Sequence, residues 1–395
     1  MDRVCDALIV MLPFRESLAS WHARGLLERE AVLWHAMRAG VGALIVASGE
    51  AHPGDDAAVR AVDPNGDIAF VTGFAPRAAD GRLVRELLGR FGVGANVVIR
   101  TCQMSAGPLA LAAGDQLRER GMDVRLIARA GHIWSRRLAI ERGPDDPRTA
   151  EAGRIERELC RAAGLIVGTT GKQVDELAWR FGLAEERLRV VPNFVPTDEP
   201  PTGSDERDPA TILCVGPFVG RKRMDSLVRS VASIDDEARD RVRLLLIGDG
   251  PERASACDLA AGLGVRLEAP GWVAWSEVRE AMRRATIYAD ASTHEWHPRA
   301  VIEAMAAGCP IVTNDAAGLG GLVQNGATGV RIPDDIADSF SSAFLGLLED
   351  PEWCEMLGMN AARVTRAAFG VEEVARSELG VIAEACATGG RSLAA

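Results

Sequence analysis

Lysine is nearly missing from this chain: of 45 basic residues only Lys172 and Lys222 are lysines, and the rest are arginine. Tyrosine occurs once in 395 residues, and aromatics make up only 5%. No apolar run approaches the roughly 20 residues that a membrane-spanning helix needs. The N-terminal MDRVCDALIVMLPF has neither a basic leader nor a small-residue cleavage site, and it reads as a first strand rather than a signal peptide. The eight cysteines are scattered, with no C-x-x-C pair, which argues against a disulfide framework or a zinc site and for a reducing cytoplasm. Acidic pairs stand at Asp55-Asp56, Asp145-Asp146, Asp235-Asp236 and Asp334-Asp335. All are expected in loops or at helix starts. None follows a strand as an Asp-x-Asp metal site would, so the expected chemistry uses no metal.

What is present is an ordinary globular composition, 47% hydrophobic and 26% charged. The length exceeds that of a typical single core and implies two domains. The net charge of −11 is uneven. Residues 1–200 carry 26 basic against 27 acidic side chains, and the remainder carries 19 against 29. So acidic a protein does not fit a nucleic-acid partner. The scarcity of lysine points to a high-GC bacterium, and a lysine that survives in such a background draws notice.

Apolar strand-like runs alternate with helical patterns, as in parallel α/β folds. The expected strands of the first half are 6–12, 42–47, 67–72, 96–101, 123–128, 164–169 and 188–192, with helices at 24–39, 80–90, 105–120, 148–163 and 171–181. Residues 196–210, PTDEPPTGSDERDPA, hold almost nothing apolar and read as a linker. The pattern then restarts, with strands near 211–215, 242–247, 265–268, 286–290, 310–313 and 329–332, and helix from 351 to 387. The expected division is an acceptor domain 1–195, the linker, a donor domain 211–370, and a terminal helical segment 371–395. Ligands of doubly wound sheets bind outside the carboxyl ends of the strands.

The most telling stretch is 294–318, HEWHPRAVIEAMAAGCPIVTNDAAG. Glu295 and Glu303 stand eight residues apart around the expected start of a helix. Pro298 suits the first helical position, and Gly308 with Pro310 ends the helix before a buried strand. The first amides of that helix, at Arg299 and Ala300, would face an anion, while carboxylates accept hydrogen bonds from sugar hydroxyls.

This block resembles the donor signature of retaining glycosyltransferases of the two-Rossmann (GT-B) kind, family four, also known as glycosyl transferases group 1. Both acidic positions and EAMAAGCPIVTND match it. The resemblance implies a nucleoside-diphosphate sugar as donor, with Glu303 on the ribose hydroxyls and Glu295 on the donor sugar. It implies two Rossmann-like domains facing a cleft, and a C-terminal helix crossing back to the first domain. TILCVGPFVGRKRMDSLV (211–228) resembles the family's phosphate-binding turn, placing Gly216 on its glycine and Lys222 on its lysine against the diphosphate. Two departures stand there: Pro217 in place of the family arginine, and Arg223 in place of the glycine after the lysine. Arg221, Arg223 and Arg299 are the candidates for the second phosphate cation.

Other pieces follow the same resemblance. GDGP (248–251) is a turn in which Asp249 forms the bend. APGWVAW (269–275) sets Trp272 and Val273 beside the base. VVPNFV (190–195) closes the first domain. His132, after the strand VRLIARA, is expected to face the donor sugar. His297 takes an aromatic position and Pro298 that of a glycine, which implies unusual sugar contacts. The first-strand loop LPFRESLASWHARG lacks the glycine pair of many relatives. Arg15, Ser17, Trp21 and Trp134 are the acceptor candidates, each tryptophan with core packing as its alternative.

The expectation is therefore a retaining, metal-independent, cytoplasmic glycosyltransferase acting on a glycan, glycolipid or specialised metabolite. Its same-face displacement would pass through an oxocarbenium-like state, and it would need no cofactor beyond its nucleotide-sugar substrate. Peripheral membrane contact, oligomeric state, base, sugar and acceptor stay open. The alternatives are a transferase of the same fold forming a non-O linkage, an epimerase or phosphorylase of that fold, and a non-catalytic nucleotide-sugar sensor.

Overall fold

The computed structural model describes residues 3–74, 89–315, 318–333 and 337–388. Most of the expected helix 80–90 and the Asp334-Asp335 pair lie outside them. The chain divides into two compact units, Met1–Asn193 with Val371–Ala395, and Phe194–Gly370.

The first unit is built on seven strands: β1 (Ala7–Met11), β2 (Ala43–Ala47), β3 (Ala69–Val71), β4 (Asn96–Thr101), β5 (Asp123–Ala130), β6 (Leu165–Gly168) and β7 (Leu188–Val190). Their order is β3-β2-β1-β4-β5-β6-β7, all parallel. Every residue of β1 and β2 is buried, as expected for a parallel sheet covered by helices on both faces. The helix Val371–Ala387 belongs to this unit. Its Glu378 is buried and bridges Arg100 of β4 at 2.7 Å and Arg129 of β5 at 3.2 Å. Arg129 also donates to the carbonyl of Val191.

The second unit repeats the plan with β8 (Thr211–Val215), β9 (Arg243–Ile247), β10 (Leu267–Gly271), β11 (Ile287–Asp290), β12 (Ile311–Asn314) and β13 (Gly329–Ile332). Their order is β10-β9-β8-β11-β12-β13, again parallel. Side chains alternate between faces as the pleat requires. Ile212, Cys214, Ile287 and Ala289 join one apolar cluster, and Leu213 and Tyr288 the other. The sole tyrosine, Tyr288, is buried and its hydroxyl hydrogen-bonds the backbone of Val215, tying β11 to the end of β8. Strand order reverses between β8 and β11, and that switch point is where such sheets open a binding crevice.

The stretch expected as a linker packs onto the second unit. Arg207 donates to the carbonyls of Thr202, Met282, Arg283, Ala285 and Ala307. Arg366 holds the carbonyls of Thr197 and Glu199. Guanidinium forks here replace the apolar burial that the segment lacks. The expected terminal helix is two, Pro351–Phe369 and Val371–Ala387, parted at Gly370.

Candidate active site

The site in the second unit grows from the ends of β8 and β11. After β8 the chain turns at Gly216, where an added Cβ would lie 3.1 Å from Cε of Lys222. A Cβ at Gly248 (φ 136°) would lie 2.0 Å from the carbonyl oxygen of Gly216, so the exits of β8 and β9 meet backbone to backbone. Asp249 accepts the amide of Gly250, a turn-forming contact.

A 3-10 turn, Gly220–Lys222, then presents Arg221 and Lys222. Lys222 is buried, and its Nζ lies 3.1 Å from Asp290 Oδ2 and 2.8 Å from Glu295 Oε1. Arg221 Nη1 donates to the same Glu295 oxygen at 2.7 Å. Arg223 follows at φ 50°, a left-handed position that a side chain occupies at a cost. This is the position at which the resembled family carries glycine.

The charges are strongly coupled. Burial by itself would lower the Lys222 pKa, but Asp290 and Glu295 outweigh it and hold the ammonium well above the usual lysine range. Burial by itself would raise the Glu295 pKa, but Lys222 and then Arg221 bring the carboxyl below its ordinary value. Both groups are therefore ionised at neutral pH.

Asp290 was not among the residues singled out from the sequence. It ends β11, is fully buried, and accepts the amide of Ser292 through Oδ1 and Lys222 through Oδ2. A carboxylate closing an otherwise apolar strand at the switch point was the signal that could have revealed it.

The helix Arg299–Ala306 starts one residue later than expected. Pro298 is its N-cap, no side chain caps it, and Arg299 and Ala300 are its first two residues. The first-turn amides therefore lie in the loop-to-helix bend that follows Glu295. Glu303, one turn in, is buried. His297 is buried with its ring edge-on to Phe369 at 4.7 Å, and the Arg299 guanidinium lies 5.7 Å from the Phe194 ring centroid. Trp272 is 48% exposed in the turn after β10.

In the first unit His132 follows β5, half-buried. Arg15 is exposed, with φ 63°, beside the ring of Phe14. Ser17 is buried and caps the helix Leu18–His22 in a capping box with Ser20. Trp21 is buried in the core, and Trp134 is half-buried at the start of the helix Trp134–Arg142. Glu156 accepts the amides of Trp134 and Ser135 there. Among the described residues, His35, Asp63 and Asp67 form one cluster of metal-ligand type. Asp63 is engaged by the amides of Asp67 and Ile68, and the ring of His35 hydrogen-bonds the carbonyl of Val62, so local structure accounts for it.

Residues 197–364 match the family described as glycosyl transferases group 1. An alpha-D-kanosaminyltransferase of Streptomyces kanamyceticus is 24% identical over 242 residues, 58% of this chain and 62% of that protein. A D-inositol 3-phosphate glycosyltransferase of Kribbella flavida is 29% identical over 252 residues, 57% of each. The chain thus spans a little over half the length of the curated relatives it matches. Two solved structures resemble nearly the whole chain. HepE of Anabaena, in complex with UDP and glucose, aligns with TM-score 0.74 and 16% identity over 96% of this chain and 99% of that one. Sucrose-phosphate synthase from Thermosynechococcus elongatus aligns with TM-score 0.73 and 19% identity over 97% and 100%. The fold is GT-B: two Rossmann-like parallel-sheet domains.

Proposed function

We propose that the chain is a retaining glycosyltransferase taking a nucleoside-diphosphate sugar as donor, a reading supported by the match of residues 197–364 to the glycosyl transferases group 1 family. The observation that carries this reading is the Lys222–Glu295 pair at the switch point, followed directly by an uncapped helix N-terminus.

In this reading the diphosphate lies against Lys222, Arg221 and the amides of Arg299 and Ala300. Their charge offsets the charge that builds on the leaving phosphate, an interaction worth more in the transition state than in the ground state. These side chains supply the cation work without a metal. Glu303 binds the ribose diol, Trp272 flanks the base, and Glu295 orients the sugar. The departing phosphate takes the acceptor proton. HepE and its UDP make a UDP-sugar the first donor to try. The acceptor is a glycan, glycolipid or specialised metabolite bound by the first unit, and the enzyme works in the cytoplasm of a bacterium.

The test is a thermal-shift screen with UDP-, GDP-, ADP- and TDP-sugars in the presence of a chelator, repeated with Glu303→Ala. Stabilisation of the wild type alone identifies the base and supports the site. Donor hydrolysis without acceptor separates an enzyme from a sensor, and the anomer of the transferred sugar reads retention. Binding of no donor overturns the reading.

A further inference from the structure

We infer that Asp290 is a positioning residue that keeps Lys222 in place while Glu295 trades its cations for the donor. This rests on the nucleotide-sugar reading above.

The cluster is balanced: Lys222 and Arg221 face Asp290 and Glu295. An entering diphosphate must displace one carboxylate, and the two are not equivalent. Asp290 is fully buried at a strand end, with its Oδ1 held by the amide of Ser292 and its carbonyl by the hydroxyl of Thr313. Glu295 sits on the loop beyond, 17% exposed, and both cations converge on its one oxygen Oε1. Glu295 is therefore the side chain that can turn away, and Asp290 the one that stays.

A lysine carries three donors. With Asp290 fixed on one of them, the release of Glu295 turns the others to phosphate while a counter-charge remains behind the ammonium. Without Asp290, the departure of Glu295 would leave a buried ammonium with no fixed anion, free to follow the substrate. Preorganisation at the leaving group would then be lost although attraction for the anion would grow.

The variant is Asp290→Asn in the full chain, which keeps the shape and an acceptor for Ser292. Three quantities are measured: UDP affinity by calorimetry (with GDP, ADP and TDP in parallel), turnover with the donor found above, and the lysine 15Nζ spectrum. With two lysines in the chain, that spectrum resolves Lys222 from Lys172. The expected result is diphosphate affinity unchanged or tighter, kcat lower by about 100-fold, the order seen when one preorganised charge donor is lost, and a displaced Lys222 signal. In a Lys222→Met background the same change should leave kcat unaltered.

An unchanged kcat, or affinity and kcat falling together, overturns the inference while the donor reading stands. A wild type that binds none of the four diphosphates overturns both. If Asp290→Asn does not fold, Lys222→Met/Asp290→Asn, which buries neither charge, is compared with Lys222→Met. Equal kcat supports the inference and a further loss overturns it.

Discussion

The carbonyl oxygen of Glu295 occupies the space that a side chain at Gly318 would need: an added Cβ would lie 1.8 Å from it. Gly318 also holds φ 92°, in the region where L side chains are strained. The loop bearing Glu295 thus lies against Gly318 with no room for a side chain between them. Gly318→Ala must push one backbone away from the other. The strain of a positive φ and the overpacking each cost about 1–2 kcal/mol. We expect a melting temperature lower by several degrees and weaker donor binding, read by calorimetry with UDP. Wild-type affinity in Gly318→Ala would show that the loop position is not needed.

Glu378 is one carboxylate between two buried guanidiniums, 2.7 Å from Arg100 and 3.2 Å from Arg129. Burial alone would lower the Arg100 pKa, but Glu378 reverses this and holds the guanidinium well above its normal range. Removing one partner of such a group leaves the other charges uncompensated, at a cost of about 3–5 kcal/mol. Glu378→Ala should lower the urea midpoint accordingly. The triple change Arg100→Met/Arg129→Met/Glu378→Leu should recover much of that loss, because it removes all three buried charges. The unfolding midpoints of the three proteins decide it.

The strands were legible because a doubly covered parallel sheet writes each one as a short apolar run. Strands 96–101, 211–215 and 329–332 match the expected bounds. Less legible were elements whose cause lies far off in the chain. The helix Trp134–Arg142 buries only Ser135 and Leu138, and its start is held by Glu156, so it lacks a local apolar stripe. The segment 196–210 is poor in apolar residues and reads as a linker, yet arginines from 207 to 366 fasten it. In the site, Lys222 and Glu295 could be read from their motif. Asp290 was missed, because its partner lies 68 residues away and its one local signal is a carboxylate ending a buried strand.

Six of the eight cysteines are buried, and all eight are free. Burial pushes the thiols of Cys5, Cys160 and Cys309 up to about 12, and that of Cys354 to about 11. The thiolate is the reactive form, so at pH 8 these groups should be inert in the folded chain. Titration with a chromogenic disulfide should count no more than two fast thiols, at Cys257 and Cys386, and eight in denaturant. A third fast thiol in the native protein would show an opening of one of the cores.

The Lys222–Glu295 pair should hold down to the ordinary carboxylate range. The carboxyl of Glu295 is held below its ordinary value, with Lys222 and Arg221 outweighing the opposing effect of burial. For a group depressed on folding, the unfolded chain binds the proton first as pH falls. The contribution of the pair is therefore complete above the ordinary carboxylate value of about 4.5 and is lost as pH drops through the depressed folded value. A double-mutant cycle with Lys222→Met and Glu295→Gln, followed by unfolding from pH 7 to pH 3, reads this directly. The coupling free energy should be flat from neutrality to about pH 5 and then decline. A coupling that fades between pH 7 and 5 would mean that Glu295 titrates high, with its burial uncompensated and the cations directed elsewhere.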